Sequence, residues 1–199
     1  MSRPLLLASG SEIRARMLTN AAVPFRVEKA RVDEEMIRAA LQSEDAHPRD
    51  IADALAESKA RKVSHRNPGN LVLGCDQVLE FEGRVLAKPE SLEDAREQLT
   101  AMRGKRHRLL SAAVIYEDAE PIWRHVGVVR MQLRSISDDY LEDYLARNWQ
   151  SARQSVGAYK LEEEGVRLFE RVEGDYFTVL GMPLLEILSF LTVRGDLKS

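Results

Sequence analysis

The chain has 199 residues, of which 44% are hydrophobic and 31% charged, and its formal net charge is −3 at pH 7. This composition is ordinary for a soluble globular protein with one large domain or two small lobes. The negative balance argues against a nonspecific nucleic-acid-binding protein, which would be clearly basic. The single cysteine, Cys75, suits a reducing cytosol. Because no apolar run is long enough to cross a bilayer, we predict a cytoplasmic protein without a membrane partner.

Hydrophobic periodicity predicts an alternation of strands and helices, with no internal repeat and no long linker, and therefore a single domain over 1–199. The predicted strands cover 4–8, 24–28, 70–81, 107–116, 122–133 and 166–172. The predicted helices cover 11–22, 33–43, 48–65, 91–102, 137–149 and 183–193. Strands mixed with helices, some of them hairpin-like neighbours, predict an α/β fold with a mixed sheet.

The first predicted strand ends in a serine- and glycine-containing elbow, Ser9-Gly10-Ser11, and Ser11 is a good N-cap for the following helix. The amino end of a helix attracts anions through its unpaired N–H groups and its dipole. Arg14 heads the apolar face of this helix. The elbow is therefore either a phosphate site or an ordinary capped helix whose arginine extends along the edge of the core to solvent.

Two charged residues occupy positions where apolar side chains are expected. Lys59 interrupts the apolar stripe of the helix at 48–65; it either reaches solvent at the rim or points inward to a phosphate or carboxylate. Asp76 lies near the centre of an apolar run from Leu71 to Phe81. An aspartate there is retained for a metal, a cation or catalysis, or else the strand ends at Gly74 and Asp76 begins a turn.

Three further features are individually weak. Lys88 lies at a strand-to-loop exit before a proline. The acidic run at 33–35 suits either a helix start or a hard divalent cation. The basic run at 103–108 suits either a phosphate site or a solvated turn. Neither a Walker A sequence nor a G-x-S-x-G elbow is present, which excludes P-loop and acyl-transfer chemistry. Taken together, these cations, elbow N–H groups and carboxylates suit hydrolysis of a polyphosphate.

The motifs also resemble a known family. They are S-x-S-x-x-R at 9–14, D-E at 33–34, K-A at 59–60, G-x-D-Q-V at 74–78, K-P at 88–89, G-x-x-H at 104–107, G-x-Y at 157–159 and G-M-P-L at 181–184. In this order and spacing, they resemble the Maf-like nucleoside triphosphate pyrophosphatases over almost the whole chain. The resemblance implies a fold similar to that of inosine triphosphate pyrophosphatases, with an elongated mixed β-sheet, flanking helices and two lobes around a nucleotide cleft.

The resemblance also implies a reaction and its residues. A nucleoside triphosphate and water would give a monophosphate and pyrophosphate, with Asp76 accepting the proton of the attacking water. Residues expected to bind the triphosphate are Ser9, Ser11, Arg14, Lys59 and Lys88. Glu34 and Asp76 would hold a divalent cation, Mg²⁺ first and Mn²⁺ or Co²⁺ as alternatives. The same resemblance implies a homodimer and a house-cleaning role in the nucleotide pool.

Departures from the family pattern bear on the choice of base. Many members that act on dTTP and UTP carry threonine after the catalytic aspartate and glutamine at the position of Glu162, whereas this chain has Gln77 and Glu162. Both residues resemble the branch that favours 7-methyl-GTP, and a carboxylate suits the two donors of a guanine edge. That branch tends to carry tryptophan where this chain has Ile13, which cannot stack on a methylated base.

Two other hypotheses stand beside the enzyme. One is a nucleotide-binding regulator of cell division or septum formation with little hydrolysis, an association that the family name carries. The other is a hydrolase of a nucleotide sugar or dinucleotide. The combination of Asp76, Lys59 and Lys88 favours the pyrophosphatase, because a pure binding protein has no chemical reason to keep it.

Overall fold

The computed structural model describes residues 5–198, so Pro4, the first residue of the first predicted strand, lies outside it. The strands are β1 Leu5–Leu7, β2 Phe25–Val27, β3 Leu71–Phe81, β4 Arg84–Leu86, β5 Arg106–Glu117, β6 Glu120–Leu133 and β7 Phe169–Glu173. The helices are α1 Glu12–Asn20, α2 Glu34–Ser43, α3 Pro48–Ser64, α4 Leu92–Met102, α5 Asp138–Ala152, α6 Tyr176–Val179 and α7 Leu184–Arg194. Two 3-10 helices cover Val156–Ala158 and Glu164–Leu168.

Seven strands form one sheet in the order β2-β1-β3-β5-β6-β7, with β4 paired to β3. β1 pairs in parallel with β2 and with β3, whereas β3 with β4 and β6 with β7 pair antiparallel. The prediction of a mixed α/β fold, an open sheet flanked by helices, is therefore confirmed.

The chain divides into two compact units. The first contains the residues up to Gln77, Leu110–Gly127 and those from Gly181 onward, and the second contains Val78–Leu109 and Val128–Leu180. Large side chains that are fully buried in the first unit are Leu7, Leu18, Ile51, Leu55, Leu73 and Ile115. Those in the core of the second are Leu79, Leu99, Met102, Leu109, Met131 and Tyr144. Each unit thus has its own hydrophobic core.

The structure corrects the predicted elements in three places. The strand predicted over 166–172 is a 3-10 helix at Glu164–Leu168 followed by β7 at Phe169–Glu173. Gly165 permits that turn, because a Cβ there would lie 2.4 Å from the carbonyl oxygen of Lys160. β4 and α6 were not predicted, since three or four residues are too few to show a period.

Within residues 5–198, the structure contains no helix that is both long and apolar enough to span a membrane.

Candidate active site

The site of the first unit depends on how closely helix α3 packs on strand β3. A Cβ at Gly74 would lie 2.1 Å from the carbonyl oxygen of Ala56 and 2.7 Å from the amide nitrogen of Ala60. The helix backbone therefore rests directly on the strand at this glycine. Lys59 precedes Ala60 and Asp76 follows two residues after Gly74, so the close packing brings these two side chains together.

Lys59 and Asp76 form a buried ion pair, with 2.7 Å between Nζ and Oδ1. Only 7% of Lys59 and 5% of Asp76 is exposed. β3 runs without interruption from Leu71 to Phe81, so the alternative in which the strand ends at Gly74 is wrong. The alternative in which Lys59 reaches solvent at the rim is also wrong. The ammonium and the carboxylate satisfy each other because an unpaired charge would be costly at this depth.

A second carboxylate shares the same ammonium, because Glu34 Oε1 lies 2.9 Å from Lys59 Nζ. Glu34 is the first residue of α2, where Asp33 is the N-cap and its side chain accepts a hydrogen bond from the amide of Met36 at 3.0 Å. Glu35 pairs instead with Arg38, one turn along the helix, at 2.8 Å. The acidic run thus divides into a helix cap, a carboxylate beside Lys59 and a pair with Arg38. The prediction of a helix start is confirmed, and that of a divalent-cation site stays a prediction.

Ser9, rather than Ser11, organises the elbow. Ser11 occupies the N-cap position of α1, but its side chain makes no capping hydrogen bond, so its predicted capping role is wrong. Ser9 Oγ instead accepts a hydrogen bond from the amide of Ser11 at 3.2 Å and another from Arg14 Nη1 at 3.2 Å. Ser9 is buried, which leaves Ser11 as the half-buried hydroxyl of the turn.

The guanidinium of Arg14 is buried and fixed by backbone carbonyl groups, so it does not extend to solvent. Its Nε donates to the carbonyl oxygen of Gly181 at 2.8 Å, and its Nη1 donates to that of Cys75 at 3.0 Å. Cys75 immediately precedes Asp76, so Arg14 ties α1 to the strand that carries the carboxylate. Burial raises the pKa of the Cys75 thiol to about 11, which keeps this side chain neutral.

Of the residues expected to choose the base, Gln77 and Ile13 lie in the first unit. Gln77 Nε2 donates to Ser111 Oγ at 2.9 Å, so a fully buried serine of β5 orients the amide. Ile13 is half-buried on α1, next to Arg14 in the chain. Neither side chain is buried to the extent of Asp76, and both flank residues of the site in sequence.

Lys88 and Glu162 belong to the second unit. Lys88 is exposed in the loop after β4. Glu162 is half-buried, and within residues 5–198 its carboxylate has neither a hydrogen bond nor an ion pair. The next two residues do have partners: Glu163 accepts a hydrogen bond from Ser151 at 2.6 Å, and Glu164 accepts one from Arg147 at 2.7 Å. The two pairs fix the loop and leave Glu162 as its unpaired carboxylate.

Three cations of the basic run at 103–108 are paired with carboxylates of the second unit, while Arg106 donates to the side-chain oxygen of Gln132 and His107 is buried. Arg103 pairs with Asp138, Lys105 with Glu82 and Arg108 with Glu80. Each of these cations has a carboxylate partner, which favours the solvated turn over the phosphate site.

No structural role was predicted from the sequence for Gly181, Ser111 or Gly74. Gly181 binds Arg14 from 167 residues away in the chain, and Ser111 binds Gln77 from 34 residues away. No local sequence pattern predicts contacts between residues so far apart. Gly74 was noted as an interruption of an apolar run. A glycine inside a strand does signal close backbone approach, and that signal was available.

Two carboxylates, Glu34 and Asp76, could contribute to a metal site here. The described residues contain no cluster of three or more His, Cys, Asp or Glu side chains suited to a metal ion. This donor set still fits Mg²⁺, which is usually held by one or two carboxylates together with the phosphates of a substrate. Oε1 of Glu34 and Oδ1 of Asp76 both contact one nitrogen, so they are close enough to act together.

Comparison with known proteins places the chain in a family. The family described as "Maf-like protein" matches residues 4–193. The nucleoside triphosphate pyrophosphatase of Roseobacter denitrificans is 64% identical over 197 residues, covering 99% of each chain. That of Ruegeria pomeroyi is 64% identical over 195 residues and 98% of each chain. The 7-methyl-GTP pyrophosphatase of Mesorhizobium japonicum is 46% identical over 195 residues, again 98% of each chain. The chain belongs to the Maf-like family.

Proposed function

We propose that this protein is a nucleoside triphosphate pyrophosphatase, an enzyme that hydrolyses a triphosphate to the monophosphate and pyrophosphate. The observation that carries the proposal is the buried pair of Lys59 and Asp76 with Glu34 beside it. The names of relatives that match nearly the whole chain at 64% identity support the same reaction. A structural ion pair does not need a second carboxylate, whereas two neighbouring carboxylates suit a divalent cation that binds together with the phosphates of a substrate.

Asp76 is the proposed general base. Its Oδ2 has no hydrogen bond from Lys59, which contacts Oδ1, so one oxygen can take the proton of a water molecule. The water oxygen bonds to the α-phosphorus, the bond from that phosphorus to the α–β bridging oxygen breaks, and pyrophosphate leaves with the electron pair. Asp76 then releases the proton to solvent. Because the strand holds the carboxylate in place, little conformational entropy is lost in orienting it for the reaction.

Positive charge at the site would offset the charge of the phosphates. Lys59 is the proposed cation nearest the reacting atoms. Arg14 is held by carbonyl groups through Nε and Nη1, and within residues 5–198 its Nη2 makes no hydrogen bond, so that nitrogen is the proposed phosphate contact. Ser9 would position Arg14, and Ser11 would offer the hydroxyl of the turn. Lys88, in the second unit, is proposed as a further phosphate ligand from the family resemblance.

Glu34 and Asp76 are the proposed metal ligands, with Mg²⁺ as the first candidate and Mn²⁺ or Co²⁺ as alternatives. A bound divalent cation would neutralise phosphate oxygens and lower the charge that opposes attack. We also propose a cytoplasmic location and a house-cleaning role against noncanonical or modified nucleotides. A homodimer remains an expectation from the resemblance.

Glu162 is the proposed specificity residue, because it is a half-buried carboxylate without a partner in the described residues. A carboxylate accepts hydrogen bonds from both N1–H and the exocyclic amine of guanine, and it repels an edge that presents acceptors. Gln77, oriented by Ser111, and Ile13 are proposed to shape the same choice. The likeness to a 7-methyl-GTP pyrophosphatase supports a guanine nucleotide as the substrate class.

A pyrophosphate-release screen with Mg²⁺ tests the function directly. The panel includes GTP, 7-methyl-GTP, dTTP, UTP and other modified triphosphates, and the products are separated to identify the monophosphate. We expect Asp76→Asn to lower turnover by about 10²- to 10⁴-fold while nucleotide binding persists. Glu162→Gln should reduce the preference for guanine by at least roughly tenfold.

Asp50→Asn is the matched control, since it makes the same chemical change at an exposed residue in the first turn of α3. It should keep the wild-type rate. Orthophosphate as the product, or no turnover on any triphosphate, would contradict the proposal. Binding without turnover in the wild type would support the regulator of cell division instead.

A further inference from the structure

Lys59 contacts both of the carboxylates that would hold a metal. Its Nζ lies 2.7 Å from Asp76 Oδ1 and 2.9 Å from Glu34 Oε1. One ammonium group is therefore shared by two carboxylates at a position where little water reaches Lys59 or Asp76. A divalent cation held by both carboxylates would compete with this ammonium for Glu34.

We propose that Lys59 is a built-in substitute for the divalent cation: it holds Glu34 and Asp76 together in the free protein, and it must yield Glu34 before a metal can bind both. This inference rests on the proposed metal site. It goes beyond a general phosphate-binding role for the lysine, because it makes Lys59 a competitor of the metal in the absence of nucleotide.

The two carboxylates differ in their freedom to change partners. The side chain of Asp76 is 7% exposed and belongs to a strand on which α3 rests directly. The side chain of Glu34 is 42% exposed and projects from the first residue of a helix. Glu34 is therefore less constrained by packing than Asp76, whose pair with Lys59 is buried.

Nucleotide would change the balance of the competition. When a polyphosphate supplies Lys59 with another anion, the ammonium no longer depends on Glu34, and the carboxylate becomes available to a metal. Metal and polyphosphate should then bind cooperatively, and by linkage each should raise the affinity for the other by the same factor. Without Lys59, this part of the cooperativity should be lost.

Binding of Mn²⁺ alone to the free protein tests the inference without any turnover. Wild type should bind Mn²⁺ weakly and gain little in thermal midpoint when EDTA is replaced by Mn²⁺. Lys59→Met should have a lower midpoint in EDTA, a clearly larger gain with Mn²⁺, and a Kd for Mn²⁺ that is lower by roughly tenfold. Lys59→Gln is a second variant that keeps a hydrogen-bond donor, and it should move both quantities in the same direction.

Lys62→Met is the matched control: it removes an exposed lysine from the same helix, one whose ammonium donates to the carbonyl oxygen of Arg31 and pairs with neither carboxylate, so the affinity for Mn²⁺ should stay unchanged. In a second arm, inorganic triphosphate at controlled free Mn²⁺ should tighten metal binding in wild type more than in Lys59→Met. An unchanged or weaker affinity for Mn²⁺ in both Lys59 variants would overturn the inference.

The readouts separate this inference from the proposed function. Tighter Mn²⁺ binding in the variants of a protein that hydrolyses no triphosphate would support the inference and contradict the function. Triphosphate hydrolysis together with unchanged Mn²⁺ binding would do the reverse.

Discussion

Lys59, Asp76 and Arg14 all carry charge at positions shielded from water, and each has a specific partner there. Breaking a buried pair by removing one member costs about 3–5 kcal/mol, because the other charge remains uncompensated. The partners differ in kind: Lys59 and Asp76 have each other, while Arg14 has carbonyl oxygens and a serine hydroxyl. Each of these charged side chains is therefore already bound by partners within the protein.

A further buried ionisable residue, His107, lies in the core of the second unit and makes stability depend on pH. Its Nε2 shares a hydrogen bond of 2.7 Å with the hydroxyl of Tyr159, while Nδ1 has no hydrogen-bond partner among residues 5–198. Burial lowers the pKa of His107 from 6.5 to about 4, and the charge of Glu80 offsets part of that effect. The folded protein thus favours the neutral imidazole.

We predict that the free energy of unfolding falls as the pH drops from about 6.5 to about 4 because of this histidine. The unfolded chain takes up the proton over that interval while the folded protein resists it, so stability present above the unfolded pKa is lost below it. Between pH 7 and pH 5, wild type should lose about 2 kcal/mol more than His107→Gln, which does not titrate. Urea unfolding at both pH values measures the difference; equal losses would contradict the prediction.

At the scale of the element, Gly74 determines the distance between α3 and β3. Any other side chain at this position would collide with the helix backbone at Ala56 and Ala60, which cannot yield as a flexible side chain can. The spacing of helix and strand in turn sets the distance between the ammonium of Lys59 and the carboxylate of Asp76. A residue with no functional group thus controls the geometry of the buried ion pair.

We predict that Gly74→Ala lowers the free energy of unfolding by about 3 kcal/mol or more, the upper range of overpacking effects. Displacement of α3 should also lower catalytic turnover, since it separates Lys59 from Asp76. Gly10→Ala is the control for stability, because its Cβ would meet only the flexible side chain of Lys29, at 3.3 Å. Chemical denaturation of both variants provides the measurement, and similar stabilities for the two would count against this role of Gly74.

At the scale of the whole molecule, neither compact unit is a continuous piece of chain. The chain passes between the units four times, and three of these passages lie within β3, β5 and β6. The two tryptophans of the sequence, Trp123 and Trp149, fall one in each unit. They can therefore report on the units separately.

We predict that both units unfold in one cooperative transition, because loss of either would interrupt three strands that continue into the other. Trp149→Phe leaves Trp123 as the reporter of the first unit, and Trp123→Phe leaves Trp149 for the second. For each variant, the urea midpoint measured by tryptophan fluorescence should coincide with the midpoint measured by circular dichroism. Separate midpoints within one variant would show that the units unfold independently.

The amino-acid sequence by itself determined the class of fold and indicated which charged residues would need partners. Periods of two and of 3.6 residues are local, so the long strands and helices could be predicted from them. Lys59 and Asp76 stood out because charge at an apolar position is costly and needs a reason. Elements of three or four residues, such as β4, show no period and were missed.

Only the tertiary structure decided which of these residues meet. The fixation of Arg14 by Gly181, the orientation of Gln77 by Ser111 and the sharing of Lys59 by two carboxylates all join residues distant in the chain. Hydrogen bonds of this kind depend on the packing of one element against another, and no local pattern encodes that packing. The sequence thus shows that Lys59 needs an anion, and the fold shows that it has two.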